Sequence, residues 1–293
     1  VPVVDAANFP RDDGGAYLAP QILTNVDHTM RVMRDESFGP VVGIMKVSGD
    51  DEALALMNDS EFGLSAAVIA GTPEEAAAVG ERLDAGAKVA GHKVGLASEA
   101  MQKMMGVDEP DYGHLLDDMQ YYEKTPIDTA RLCFPRVEVE VGFILGQDLP
   151  GEGCTNADVI DAVEWVVPSI ELIDSRIRDW KITLCDTIAD NASSCGWILG
   201  EQRVAIGDID TGDVDAVLHR NGEVVAKGNS SAVLGHPLNA VSWLARKVEG
   251  FGVRLRKGDL ILPGTATRAF DVAPGDHVVA EFAGLGTVTL DFD

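Results

Sequence analysis

Residues Arg136 to Leu145 read RVEVEVGFIL, alternating apolar and acidic positions with the period of two that marks a β-strand. Short β-rich runs of the same kind fill the chain from about Glu81 onward: Ser169 to Ile177, Val214 to His219, Glu223 to Lys227, Asp259 to Pro263, His277 to Phe282 and Gly286 to Phe292. Asn221-Gly222, between two of these runs, is a strong hairpin signal. Two stretches carry helical spacing, Asn156 to Val166 and Pro237 to Glu249. This part of the chain is therefore expected to fold as an α+β or mostly-β domain, not as a series of Rossmann units.

The first 80 residues have a different rhythm. Val41 to Val47 predicts a short strand, Asp50 to Asn58 a helix with acids at its start, and Ser65 to Ala70 a second strand. Thr72 then reads as the N-cap of PEEAAAVGERL, with Pro73 at the first helical position and Glu75 completing a capping box. This β-α-β-α order predicts a partial α/β segment. Two domains are expected, 1–80 and 81–293, joined between about Ala70 and Lys88. No internal repeat or low-complexity linker separates them.

Composition narrows the functional classes. The 293 residues suffice for a core that needs neither disulfides nor a structural metal. With 46% hydrophobic and 24% charged residues the chain is of ordinary globular type. No apolar run approaches the roughly eighteen residues of a membrane span, and no signal peptide opens the chain. Val1 in place of Met reads as a processed or cut start. Lys and Arg number 23 against 48 Asp and Glu, a formal charge of −25. That field repels a phosphate backbone, which argues against a nucleic-acid partner, and it concentrates divalent cations. Cys133, Cys154, Cys185 and Cys195 form no C-x-x-C pair and read as free thiols of a reducing, cytoplasmic compartment.

The acidic positions of the first strand carry candidate chemistry. Glu138 and Glu140 share one face while Val137, Val139 and Val141 share the other. Taken alone, the pattern also fits a solvated strand face. Glu171 shifts the balance, because it stands in an apolar strand among Ile170, Leu172 and Ile173. A carboxylate there is costly to bury unless paired or coordinated. Three carboxylates from two strands suit Mg²⁺ or Mn²⁺, whereas the six histidines are scattered and disfavour Zn²⁺. An ion held this way, with positions left open, suits chelation of a 2-oxo acid and polarisation of its ketone.

Longer motifs point the same way. GHKVGLASEAMQ (Gly91 to Gln102), GVDEPDYG (Gly106 to Gly113), VEVEVGFIL, PSIELIDSRIRDWK, DTIADNASS (Asp186 to Ser194) and GDLILPGTATRA (Gly258 to Ala269) occur in order over more than two thirds of the chain. From about Glu81 on, the chain resembles the 2-hydroxypenta-2,4-dienoate (2-keto-4-pentenoate) hydratases. These belong to the fumarylacetoacetate hydrolase superfamily, together with the 4-oxalocrotonate decarboxylases. The resemblance implies a mixed, rolled β-sheet and a Mg²⁺ or Mn²⁺ ion on Glu138, Glu140 and Glu171. It implies proton transfer or substrate orientation by Lys93 of GHKVGL, and water or proton handling by Asp111. Asp108 and Glu109 read as solvated loop acids beside it. Gly264 and Thr265 are expected either to donate to a substrate carboxylate or to form a plain turn. Asp186, Asp190 and Asn191 fit turn caps as well as supports of the site.

The activity so implied is that of a hydro-lyase: metal-dependent hydration of 2-hydroxypenta-2,4-dienoate to 4-hydroxy-2-oxopentanoate in aromatic meta-cleavage catabolism, by a homo-oligomer. The rivals are 4-oxalocrotonate decarboxylase, from which the Asp179-Trp180-Lys181 run leans away, and a non-catalytic truncated fusion. The first segment resembles a late portion of an aldehyde dehydrogenase, through GAYLAPQILTNVDHTMRVMRDESFGPVVGIMKV and the E-x-F-G-P element at Glu36, Phe38, Gly39 and Pro40. No cysteine precedes Cys133 and no phosphate-binding loop is present, so no dehydrogenase activity is expected of it. The hydratase-like part is expected to lack the N-terminal helices of its relatives, the arrangement of a fusion of neighbouring coding pieces.

Overall fold

The computed structural model describes residues 21–24, 26, 27, 29, 30, 41–48, 87–98, 101–103, 107–175, 177, 180, 187 and 190–293. The chain divides into two compact units, Val1–Val68 and Ile69–Asp293. In the first unit, β1 (Gln21–Thr24) pairs in parallel with β2 (Val41–Ile44), Gln21 opposite Val41. The strand expected to reach Val47 ends at Ile44. The helix over 50–58, the strand over 65–70, the helix capped by Thr72 and the E-x-F-G-P element lie outside the described residues.

The second unit runs through β3 (Val89–Gly95), β4 (Asp111–Leu116), β5 (Arg136–Leu145), helix α1 (Asn156–Ala162), β6 (Val163–Ile173), β7 (Ser194–Leu199), β8 (Asp215–Arg220), β9 (Glu223–Asn229), helix α2 (Pro237–Glu249), β10 (Leu260–Leu262), β11 (Phe270–Asp271), β12 (His277–Phe282) and β13 (Gly286–Asp291). A seven-stranded sheet has the order β4-β3-β10-β5-β6-β7, with β11 also on β5. Strand β10 is parallel to β3 and antiparallel to β5, so the sheet is mixed. A second, antiparallel sheet runs β13-β12-β8-β9. The class is α+β, as the strand-rich pattern implied. Among the described residues no helix is long and apolar enough to cross a membrane.

Both faces of the larger sheet are covered. On one, Val137, Val139 and Phe143 of β5 with Ile170 and Leu172 of β6 join a core that includes Leu244 and Val248 of α2 and Leu218 and Leu290 of the second sheet. Each such side chain contributes roughly 1.5–3 kcal/mol on leaving water. On the other face Leu115, Val167, Trp197 and Leu262 form a smaller apolar cluster. The acidic positions of β5 and β6 therefore point into protein, not into solvent.

Several boundaries differ from the sequence expectation for physical reasons. Thr155 and Asp158 close a capping box on α1, but the helix ends at Ala162 instead of Val166. From Val163 the aromatic and β-branched run VEWVV continues directly into β6, which opposes β5 from Leu145↔Val163 to Arg136↔Ile173. Strand β6 thus starts well before Ser169 and stops at Ile173, short of Ile177. The glycine- and histidine-bearing β3 and β4 gave no clean alternation, and Asp111, close after the loop acids Asp108 and Glu109, opens β4. The Asn221-Gly222 hairpin forms between β8 and β9, with φ of 54° and 83° at its two central residues.

Two glycines separate packing from backbone cost. A Cβ on Gly91 would collide with the carbonyl oxygen of Leu260 on the paired strand β10, whereas one on Gly222 meets open space but sits at φ 83°. Gly222→Ala is expected to cost about 1–2 kcal/mol. Gly91→Ala is expected to cost about 3 kcal/mol or more, since β3 and β10 must separate. Urea unfolding of the two variants checks the order, and equal losses would contradict the β3–β10 packing.

Candidate metal centre

The β5–β6 register sets Glu138 directly opposite Glu171 and Glu140 opposite Ser169. Like charges facing each other across a strand pair repel, and here water does not screen them. Glu138 is 6% exposed, and Glu140 and Glu171 are 0% exposed. One carboxylate oxygen from each of the three lies within 4.8 Å of the others. The N–H of Gly264 donates to Glu140 Oε2 at 2.7 Å. Glu140 Oε1 has no hydrogen-bond partner among the described residues, and neither oxygen of Glu171 makes a hydrogen bond of ordinary geometry.

A buried cation faces this set. Lys93 on β3 is 2% exposed, with Nζ 3.4 Å from Glu171 Oε2. The same Nζ donates to the carbonyl of Ala192 at 3.0 Å. That carbonyl belongs to a left-handed run, Asn191 (φ 53°), Ala192 (φ 51°) and Ser193 (φ 55°). Such backbone persists only where its surroundings hold it. Here the Asn191 side chain does so, accepting from His114 N at 2.7 Å and donating to His114 O at 2.9 Å. Asp111 completes the group. Its Oδ2 accepts from Thr187 Oγ1 at 2.8 Å, and its Oδ1 is buried without a partner among the described residues. Gly95 permits this approach, because a Cβ there would collide with Asp111 Oδ1 and stand 3.2 Å from Lys93 Nζ.

Electrostatics follow from burial. Burial pushes Glu138 from 4.5 up to about 7, against the pull of Lys93 and with the help of Glu171. Burial, then the charges of Glu171 and Glu138, raise Glu140 well above the ordinary range. Burial also raises Glu171, opposed by Lys93 and Ser194. For Lys93, burial alone favours the neutral amine. The carboxylates of Glu171, Asp111, Glu138 and Glu140 together outweigh it and hold the ammonium above the ordinary lysine value. A divalent cation among the three glutamates fits these residues. It would engage the unpartnered oxygens, relieve their repulsion and draw their pKa values down. An all-carboxylate donor set suits Mg²⁺ or Mn²⁺.

Lys93, Asp111 and Glu138 line one cavity of about 160 Å³, together with Arg136, Trp180 and Thr187. An adjoining cavity of about 340 Å³ shares Gly95, Leu96, Met101 and Glu138 and carries Gly264 and Thr265 in its wall. The Thr265 hydroxyl donates to the Val139 carbonyl at 3.3 Å and accepts from Val139 N and Thr267 N, both at 3.2 Å. Glu109 stands apart, paired with Lys247 at 2.7 Å. Asp190 accepts from Ser193 Oγ at 3.1 Å, while Asp186 lies outside the described residues. Sequence reasoning missed Thr187, the Ala192 carbonyl and Arg136. The first two sit inside the DTIADNASS motif, which was visible, but nothing in a motif says which atom turns inward.

Comparison with known proteins places the chain. The family profile described as Fumarylacetoacetate (FAA) hydrolase C-terminal matches residues 94–292. The profile of the Aldehyde dehydrogenase family matches residues 3–122. The chain is 44% identical over 212 residues to 2-keto-4-pentenoate hydratase of Paraburkholderia xenovorans (strain LB400), covering 72% of this chain and 79% of that one. It is 39% identical over 209 residues to 2-hydroxyhexa-2,4-dienoate hydratase of Comamonas testosteroni, covering 71% and 79%. The structure of 4-oxalocrotonate decarboxylase from Pseudomonas putida G7, complexed with magnesium and adipate, superposes with a TM-score of 0.71 at 37% identity, covering 73% of this chain and 81% of that one.

A carboxyl whose pKa is raised by folding binds its proton more tightly in the folded state than in the unfolded one. Its contribution to stability therefore falls as pH climbs from the ordinary value toward the raised one. His114, which burial depresses from 6.5 to about 4, works in the opposite sense below 6.5. Above about pH 6.5 the glutamates dominate. Without divalent ions, the urea midpoint is expected to fall as pH rises from about 6.5 through the Glu138 value of about 7, to fall less in Glu140→Gln, and to recover with Mg²⁺. A metal-free midpoint that rises over this interval would contradict the buried-carboxylate assignment.

Proposed function

The chain belongs to the fumarylacetoacetate hydrolase family, and from that membership we propose that it is a metal-dependent hydro-lyase converting 2-hydroxypenta-2,4-dienoate to 4-hydroxy-2-oxopentanoate in aromatic meta-cleavage catabolism. The observation that carries this reading is the trio of buried carboxylates within 4.8 Å of one another, beside the buried ammonium of Lys93. Glu138, Glu140 and Glu171 would hold Mg²⁺ or Mn²⁺, which when bound supplies Lewis acidity toward the carboxylate and 2-oxygen of the substrate.

The protein's own groups handle the protons. Lys93, whose ammonium stands 3.4 Å from Glu171 Oε2 on the cavity wall, is the proton donor. It delivers a proton to the terminal carbon while the 2-hydroxyl loses its own, giving the conjugated 2-oxo-3-enoate. Asp111, with Oδ2 fixed by Thr187 and Oδ1 unpartnered among the described residues, takes a proton from the water that adds at carbon 4. Carbon 3 receives a proton, and one water is gained in all. Such acid–base steps contribute ~10²–10⁴-fold each. Gly264 orients Glu140 and, with Thr265, forms part of the substrate wall.

We assign catalysis to residues 81–293, as a cytoplasmic homo-oligomer, and no activity to residues 1–80. A second reading, 4-oxalocrotonate decarboxylation, draws on the 37% identity to an enzyme of that name, because both reactions use the same electron sink. A folded but non-catalytic fusion is the remaining rival.

The reading predicts turnover of 2-hydroxypenta-2,4-dienoate with Mg²⁺ or Mn²⁺, followed by loss of the dienoate absorbance, without CO₂ release. Activity is expected to vanish with EDTA and to return with the ion. Lys93→Ala is expected to lower kcat by ~10²–10⁴-fold, and Glu171→Gln to abolish dependence on the metal. Stoichiometric CO₂ from 4-oxalocrotonate with no hydration would favour the decarboxylase. Wild-type turnover and metal affinity in Glu171→Gln would remove the ligand assignment.

A further inference from the structure

The cavity of about 340 Å³ beside the candidate centre is unevenly charged. Glu138 belongs to its inner wall, shared with the cavity that holds Lys93 and Asp111. The other charged groups among its described lining residues are Lys227 and Arg268, both cationic and both exposed. Neither has a carboxylate partner among the described residues. The Arg268 guanidinium carbon instead sits 5.6 Å from the centre of the Phe270 ring, a contact that holds the side chain without neutralising it.

The backbone brings these two cations to one rim. Lys227 stands on β9, and Arg268 follows the turn at Gly264 and Thr265. A Cβ on Gly228 would collide with the carbonyl oxygen of Ala266 and stand 3.0 Å from Thr267 Cγ2, so glycine is what lets β9 lie this close to that turn. The larger cavity of about 700 Å³ has the opposite balance, with Asp128, Asp271 and Asp293 against Arg136. In a chain of net charge −25, an approaching anion is repelled over most of the surface, and the carboxylate of the proposed substrate is such an anion. Of these two cavities, the one rimmed by Lys227 and Arg268 is the one that attracts it.

We propose that Lys227 and Arg268 form a cationic mouth that captures the carboxylate of the substrate from solution and steers it toward the glutamates. Exposed, hydrated cations add little to a bound state. A charge at the rim of a site acts instead on the association rate and its salt dependence. This deepens the hydratase reading and rests on it for the charge of the substrate, but the effect itself reads out in binding, without turnover.

The test follows association of 2-oxopentanoate, a saturated 2-oxo acid with one carboxylate, with the full Mg²⁺-loaded chain by stopped-flow tryptophan fluorescence. Sodium chloride is raised from about 0.1 to about 1 M, which shortens the screening length from about 10 to about 3 Å. In the unaltered chain the association rate constant is expected to fall about three- to tenfold, with a much smaller change in dissociation. The double variant Lys227→Gln/Arg268→Gln is expected to associate slower by a similar factor at the lower salt and to lose the fall. The double variant Lys88→Gln/Lys124→Gln removes the same charge from exposed positions that line neither cavity, and is expected to behave as the unaltered chain. An association rate that stays flat or rises with salt in the unaltered chain, or equal losses in the two double variants, overturns the mouth. Absence of any association overturns it too. Dienoate turnover, measured separately, bears only on the hydratase reading, so a chain that captures 2-oxopentanoate through these residues yet hydrates nothing keeps the mouth and loses that reading.

Discussion

Four carboxyl groups and one ammonium share a buried pocket, and this imbalance is the constraint on which the rest of the second unit depends. Glu138, Glu140, Glu171 and Asp111 are all under one tenth exposed, and Lys93 alone cannot neutralise them. Taking an ion out of water costs several kcal/mol even after the protein relaxes. A buried valine or leucine returns roughly 1.5–3 kcal/mol. The arrangement is tolerable only because the reverse face of the same two strands is packed with Val137, Val139, Ile170 and Leu172 against a helix and a second sheet. A doubly charged ion among the glutamates brings the charge close to balance, which is why stability, pH response and chemistry are linked here.

The backbone supplies the precision that this crowding requires. Strand β10 runs between β3 and β5, so the lysine of one strand and the glutamates of the other face the same interior. The strained turn at Asn191 to Ser193 offers a carbonyl to Lys93 while its asparagine clamps β4, the strand that carries Asp111. Gly95 contributes only by having no side chain. Residues 94–122 fall within both family matches, yet β4 in that stretch is hydrogen-bonded to β3 as part of the sheet that holds the site.

Much of this was legible in one dimension. The VEVEV alternation marked β5 from end to end, Glu171 stood out as an acid in an apolar strand, and Pro237 to Glu249 formed the helix its spacing implied. Alternation alone, however, does not separate a wet face from a buried acidic one. That distinction depends on what covers the second face, which is a long-range property. Strands β3, β4 and β7 escaped notice because glycine, histidine and serine blur their period, although the sheet pairs them firmly. Lys93 was marked only by its GHKVGL motif, since no local pattern sets it apart from a surface lysine. Thr187 and the Ala192 carbonyl were invisible as individual groups, because their role is set by a turn that no local propensity favours.

The central claim is that the three glutamates converge on one divalent ion. Anomalous diffraction from a crystal soaked in Mn²⁺ tests it most directly. The account predicts a single strong peak bonded to an oxygen from each of Glu138, Glu140 and Glu171 at about 2.0–2.3 Å. A map with no peak among these side chains, or with the ion held elsewhere while they turn apart, would contradict it.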